Sequence, residues 1–558
     1  MFLKKLKYIF VIIILYQTPL SSKSTTFDNF YSKNLSNYFS GIVAFENKNN
    51  PKALNFFNSS KILINKHDPY LKRYVYSLVL ENKISQAINI IKQNKNNNNS
   101  VFFESYILLI IDSLKKNDLV QASNYLLLAN KIAKEDQFNL AIIETLKQYL
   151  HVFKEKKILD KKKNLGNLSI ISETFQRCYL EDPKTETYFS QMINNNEGDF
   201  SRYIFFYLSH LIEKKRFSDA EKISHKIKLI NSNLLLSQAK DWIERNKAAR
   251  LSEVFSCQNH NDILSEFLFI ISNLYSSQDN FIKSNFYLNI SYFLNPKFIF
   301  NLSLVVENQY LNKEYNKAKD TLKNFKKNDE FYYWYRLKKE AQIISKQRNE
   351  KESLNYITSN YNKIENPNIK ILFDIANFHK NAKEYDEAIK YYTRIINQVE
   401  DDLETKSDLL YRRGGSYERI GNYELADKDL LYSLEINPND AYVLNYLAYS
   451  WLERNYKINT AIEMLEKAYS YKSNDPYIID SIGWAYYLID DYEKAEKYLR
   501  RAVQLMPNDT IVNDHYGDIL WKLGRQIQAR YFWGSALKMK NINDKLSDEI
   551  NSKIIKGL

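Results

Sequence analysis

Acid–base chemistry has one dense candidate in this 558-residue chain. Asn513, Asp514, His515 and Asp518 crowd into the segment NDTIVNDHYGD. A carboxylate beside an imidazole can pass a proton to and from a bound substrate. Tyr516 and Gly517, in the same segment, have the types of helix-packing residues, so Asp514, His515 and Asp518 are expected to be capping and surface residues. The seven histidines (67, 151, 210, 225, 260, 379 and 515) include no pair four apart around a Glu, the zinc-protease pattern. Cys257 and His260 have a ligand-like spacing, but no second pair completes a tetrahedral site. Gly-rich phosphate loops and G-x-S-x-G elbows are missing from the sequence. No catalytic, cofactor-binding or metal-ligating residue is therefore assigned, and the chain reads as a non-enzyme. The two cysteines, Cys178 and Cys257, could pair in an oxidising compartment. Two ordinary helix residues is the plainer expectation.

The elements that carry these residues are helical. Gly (11) and Pro (9) are scarce, which leaves few tight turns, while 44% hydrophobic and 15% aromatic residues suffice for a core. A small residue recurs early in an amphipathic helix, after a polar turn, at Ala426, Ala461, Ala495 and Ala529, separated by 35, 34 and 34. Upstream the phase continues through Ser284, Ala318, Ser353 and Ala388, and again through Ala53, Ala87 and Ala122. The unit Pro476 to Pro507 shows the full layout: Gly483 and Tyr486 on the first helix, then Ala495, Leu499 and Ala502 on the second. This period and layout resemble the tetratricopeptide repeat, a helix–turn–helix unit. The resemblance implies an all-α, TPR-type helical-hairpin solenoid, a right-handed superhelix in which each unit covers the apolar face its neighbour exposes.

Such a fold offers a binding surface rather than a reaction centre. First helices line the concave face through residues three and four apart, on the side away from the packing positions. Here these are Tyr411; Tyr442, Asn445 and Tyr449; Tyr477, Asp480, Trp484 and Tyr487; then Asp514, Asp518 and Trp521. Tyr and Trp give large contact area at low entropic cost. A partner-protein segment is the expected occupant, although several of these rings could equally pack against neighbouring helices.

The chain is expected to divide as follows. Residues 1–24 (MFLKKLKYIFVIIILYQTPLSSKS) have the basic start, short apolar run and small-residue end of an export signal. Residues 25–145 hold degenerate repeats, with a polar loop at Asn94–Asn99. Residues 146–200 form an irregular basic helical linker whose KEKKILDKKK run is a solvated helix face or loop. Residues 201–400 hold divergent repeats, 401–545 well-formed ones, and 546–558 a polar-faced capping helix. Net charge is +13, distributed as +4 in 1–24, +13 in 25–400 and −4 in 401–558. Export argues against a nucleic-acid partner. An acidic partner protein, an envelope polymer or anionic lipid fits the basic body better.

The stretch from VLNYLAYSWLERN to YFWGSALK, with hallmarks at Asp475–Tyr487, Asn513–Asp518 and Trp521–Arg525, looks like a family of bacterial envelope proteins built from these repeats. Some members are outer-membrane lipoproteins that act as adaptors for a carboxyl-terminal processing protease and cell-wall hydrolases. The sequence departs from them in having no lipidation Cys near its apolar run. The resemblance implies an exported, periplasmic or envelope-associated scaffold or adaptor in envelope assembly or proteolysis. The alternative is a structural factor held to wall or anionic lipid, as a peripheral association, through residues 25–400.

Overall fold

The computed structural model describes residues 32–94, 102–133, 136–160, 162–194, 199–539, 542 and 544–558. The expected export signal, and the Asn-rich loop beyond Asn94, lie outside the described residues. Among the described residues there are thirty α-helices and no strand. No helix among them is long and apolar enough to cross a membrane.

One long array, as the continuous period suggested, is not what the contacts show. The chain forms two compact units, each built from non-contiguous segments: Met1–Lys222 with Asp241–Asn324, and Ile223–Lys240 with Phe325–Leu558. In the first unit the early hairpins pack back against late ones. Lys48 Nζ donates to Asn312 Oδ1 at 2.6 Å, and Asn289 Nδ2 donates to the Val79 carbonyl at 2.8 Å. At its centre Arg202 grips the fully buried Glu266 through two hydrogen bonds of 2.8 and 2.6 Å, with its guanidinium over the Phe269 ring. Cys178 and Cys257 are joined in a disulfide across a separation of 79 residues, with Cα atoms 5.7 Å apart. The plainer expectation for the cysteines therefore fails, and Cys257 is not paired with His260 for a metal. The KEKKILDKKK run leaves its helix at Glu155, and its described residues beyond that point (156–160, 162 and 163) are non-helical.

The second unit is a stack of hairpins. Its best-formed helices are Leu403–Arg419 and Tyr423–Ile436, Ala441–Glu453 and Ile458–Tyr471, Pro476–Leu488 and Tyr492–Leu505, Thr510–Lys522 and Gln526–Ala536. Sequence marks six of these eight helix starts; those at Ile458 and Gln526 have no side-chain cap. Asp402, Asn422, Asp440, Asp475, Asp491 and Asp509 accept backbone N–H bonds at helix starts, satisfying donors the helix leaves free. Each hairpin turn needs one left-handed residue. Gly421 and Gly524 supply it at φ 78° and 77°, but Asn455 and Asp490 do so elsewhere. That is how a glycine-poor chain still turns. The repeat alanines 426, 461, 495 and 529 are all buried, and the last three sit in one apolar cluster that reaches Ile550 of the last helix. Gly483 shows why small residues recur there: a Cβ added to it would stand 2.7 Å from Leu499 Cγ.

The last helix, Asp544–Lys556, does more than present a polar face. Ile550 is fully buried, and Arg530 Nε donates to the Ile554 carbonyl at 2.9 Å.

Candidate functional site

The first helices of the second unit carry all eleven residues of the expected row. Tyr442 and Tyr477 stand out into solvent, 50% and 59% exposed. Both lie in the first turn, where the capping carboxylates Asp440 and Asp475 fix the backbone. Tyr411, Asn445, Tyr449, Trp484, Tyr487 and Trp521 are half-buried, and Asn445 Oδ1 is enclosed without a hydrogen-bond partner. Asp480, Asp514 and Asp518 are buried, as is His515. The expectation that Asp514, His515 and Asp518 are surface residues is therefore corrected. Helix Thr510–Lys522 is covered on this side by the preceding hairpin and by the terminal helix.

These buried groups form two clusters, one around His515 and Asp480, whose Oδ1 has no hydrogen-bond partner, and one around Lys553. His515 Nδ1 and Asp480 Oδ2 are 2.9 Å apart. Trp484 stacks on the imidazole with centroids 4.1 Å apart and rings 12° from parallel, and Tyr487 stacks on Trp484 in turn at 4.7 Å. Burial is the largest single influence on His515 and opposes its protonation, but Asp480, Asp514 and Asp518 together outweigh it, so its pKa stands above the ordinary value. Lys553 of the terminal helix reaches Asp514 Oδ1 and Oδ2 at 2.9 Å each and Asp518 Oδ2 at 2.8 Å. Trp533 Nε1 donates to Asp518 Oδ1 at 2.8 Å. Burial depresses the Lys553 pKa less than Asp518 and Asp514 raise it, and the net shift is upward. Trp521 lies beside Trp533, with the Arg530 guanidinium over its ring and Gly557 packed on it.

The carboxylate–imidazole pair has the composition of a proton-transfer pair. Its ring, 6% exposed beneath Trp484, instead ties two hairpins together.

The opposite end of the row is different. Tyr411 meets Tyr446 edge to face at 5.7 Å, beside a cavity of about 250 Å³ lined by Lys380, Tyr385, Arg412, Gly415, Ser416 and Arg419 as well. Arg412 Nε pairs with Asp408 at 2.9 Å, and Arg419 lies 3.4 Å from Glu418, which also accepts from Tyr446 Oη at 3.0 Å. Lys380, at the end of helix Ile369–Asn381, has no hydrogen-bond or ion-pair partner among the described residues. Burial and then the Arg412 guanidinium push its pKa below the ordinary lysine value, against a smaller pull from Asp408. Tyr449 joins the two ends: its hydroxyl is pushed up by burial and by Glu453 and Asp480, with Arg419 acting the other way. Sequence reading missed Lys380, Arg412 and Arg419. The usable signal was cations one position beyond Tyr411 and at the end of the preceding first helix.

With this geometry in view, known proteins supply the class. A family model described as "Tetratricopeptide repeat" matches residues 335–539. The stretch it matches thus has the sequence of tetratricopeptide repeats, and every regular element among the described residues is helical. This chain is 34% identical over 123 residues to TPR repeat-containing protein PA4667 of Pseudomonas aeruginosa, covering 22% of this chain and 20% of that one. It is 38% identical over 85 residues to TPR repeat-containing protein MJ1428 of Methanocaldococcus jannaschii, covering 15% and 14%. The chain thus spans a fifth or less of the length of these curated relatives. Among solved structures, a tetratricopeptide repeat protein from Parabacteroides merdae aligns over 46% of this chain and 99% of its own, with a TM-score of 0.39 and 17% identity. A thermophilic TPR protein of Thermus thermophilus, TTC0263, aligns over 34% and 100%, with a TM-score of 0.30 and 17% identity.

Proposed function

We propose that this protein is an exported scaffold that binds partner proteins along the row from Tyr411 to Trp521, in the cell envelope and without chemistry of its own. Tetratricopeptide repeats suggest a protein-interaction scaffold, and the observation that carries the present reading is the row itself. Tyr442 and Tyr477 are exposed aromatics held on capped helix starts, and half-buried Tyr449, Trp484 and Tyr487 run between them and the acidic network. Rigid aromatics on a packed scaffold are the composition of binding hot spots. The Cys178–Cys257 disulfide supports an oxidising compartment, where such bonds persist. An adaptor role toward an envelope protease or wall hydrolase follows from the family resemblance alone. Replacing Tyr442 and Tyr477 together by Ala is expected to abolish recovery of partners by the tagged chain from envelope extracts, with the helical circular dichroism unchanged. Unchanged recovery of every partner would overturn the reading.

A further inference from the structure

The first unit holds a larger cavity, where its early hairpins pack back against its late ones. The volume is about 930 Å³, against about 250 Å³ beside Tyr411. Helix Phe281–Leu294 lines it with Asn285, Asn289 and Tyr292, the spacing of one helix face, and helix Leu302–Leu311 adds Val305 and Gln309. Seven charged residues stand in the lining. Glu314 pairs with Lys317 at 2.6 Å, and Asp320 with Lys323 at 2.7 Å. Glu46, Asp279 and Lys48 are exposed. Glu81 alone is half-buried without an opposite charge, and it accepts from Asn50 Nδ2 at 2.8 Å. The deeper wall is neutral, and its amides are each half used. Asn285 Oδ1 accepts from Asn308 Nδ2 at 2.8 Å, Asn289 Nδ2 donates to the Val79 carbonyl at 2.8 Å, and Gln309 Oε1 accepts from Thr321 Oγ1 at 3.0 Å. Asn285 Nδ2, Asn289 Oδ1 and Gln309 Nε2 have no partner among the described residues. Phe45, Phe281 and Tyr292 also line the cavity, and none of them packs on another ring among those residues.

We infer that this cavity binds a neutral oligosaccharide, at a site separate from the row. A sugar hydroxyl both donates and accepts, so it satisfies the isolated donors Asn285 Nδ2 and Gln309 Nε2 and the isolated acceptor Asn289 Oδ1. Glu81, a carboxylate among amides, is a strong further acceptor for a hydroxyl. Cations would meet Glu81 but also the two amide donors, and anions would meet Glu81 itself. Peptide backbone suits the wall less well. Clamping a peptide unit takes both ends of one side-chain amide, and each of these three has one end spent. The spent ends hold the amides in place before a ligand arrives. The three unpartnered rings offer apolar faces to the C–H faces of sugar rings. Asn285 to Tyr292 spans about 10 Å of helix, the reach of a disaccharide. The volume lies near the upper end of ligand cavities, about 1,000 Å³, which leaves room for a further ring.

The test uses the full chain with ¹³C-methyl-labelled valine, and the Val305 resonances assigned through Val305→Ile. Maltotriose, cellotriose and triacetylchitotriose are titrated in turn, and at least one is expected to move the Val305 methyls saturably. Acetyl-pentaglycine amide and spermidine are expected to leave them unmoved. Tyr292→Ala combined with Gln309→Leu should weaken the sugar affinity by roughly tenfold or more, since a ring face and a donor are removed. Neither change strands a group within the chain: Tyr292 has no partner there, and Thr321 Oγ1 keeps the Lys317 carbonyl at 3.1 Å. If that variant loses its helical circular dichroism, the unsubstituted protein decides. Three results would overturn the inference: no saturable shift with any of the three sugars, a pentaglycine or spermidine shift at the concentration where the best sugar saturates, or a folded variant with undiminished affinity. The Val305 methyls report locally on the cavity, so they can stay unmoved while partner recovery still depends on Tyr442 and Tyr477, and the reverse.

Discussion

The two ends of one row of helices hold lysines of opposite circumstance. Lys553 is anchored between two buried aspartates, whereas Lys380 lies half-buried beside two arginines with no partner. Both are charged groups drawn partly out of water. For Lys553 that desolvation is offset by two carboxylates at hydrogen-bond distance, and the group ties the terminal helix to the last hairpin. For Lys380 it is not offset, so the protein carries a small local strain. The contrast separates paired from unpaired half-buried charge within a single repeat array. A count of charges in the sequence cannot make that separation.

The largest expected effect follows from breaking the anchored end. Lys553→Met should destabilise the terminal helix and last hairpin by about 3 kcal/mol, because it strands two buried carboxylates. The loss should appear as faster amide exchange in Thr510–Lys522 and Asp544–Lys556. Adding Asp514→Asn and Asp518→Asn to that variant should restore about 2 kcal/mol, by removing the stranded charges rather than remaking the pair. A smaller effect concerns His515. Its raised pKa makes the Asp480 pair stabilising below about pH 6.5, the unfolded value, and that stability drains away as pH climbs through the folded value. Urea midpoints should therefore fall as the pH rises from 6 through the folded-state titration of His515, and Asp480→Asn should flatten that slope. The smallest effect belongs to the open end. Lys380→Met should change stability by no more than about 0.5 kcal/mol, in the stabilising direction, since no pair is lost and a repulsion from Arg412 is removed.

Much of this architecture was legible in the sequence, for a physical reason. The repeat alanines, Gly483 and Gly517 are local packing demands that recur at a fixed period, and capping aspartates mark helix starts wherever they occur. All the row residues fell on first helices as the period required. What could not be read were pairings between distant segments. Cys178 and Cys257 are 79 residues apart, Lys48 and Asn312 264 apart, and Lys553 and Asp514 39 apart. No periodicity encodes such a pair. It depends on which faces later helices happen to cover. The burial of Asp514, His515 and Asp518 is the direct consequence: each reads as a surface residue on its own helix and becomes interior once Trp484 and the terminal helix are laid over it. Closure of the first unit on itself escaped for the same reason, as did the cavity at Lys380, whose walls come from three successive hairpins.

The central claim is that Lys553 is paired with buried carboxylates whereas Lys380, at the other end of the row, is not. A pH titration of the ¹³C-methyl resonances of reductively methylated Lys380 and Lys553 in the same sample tests it most directly. The account predicts that Lys380 titrates below the ordinary lysine value of 10.5 and Lys553 above it. Coincident titration of the two, or the reverse order, would contradict it.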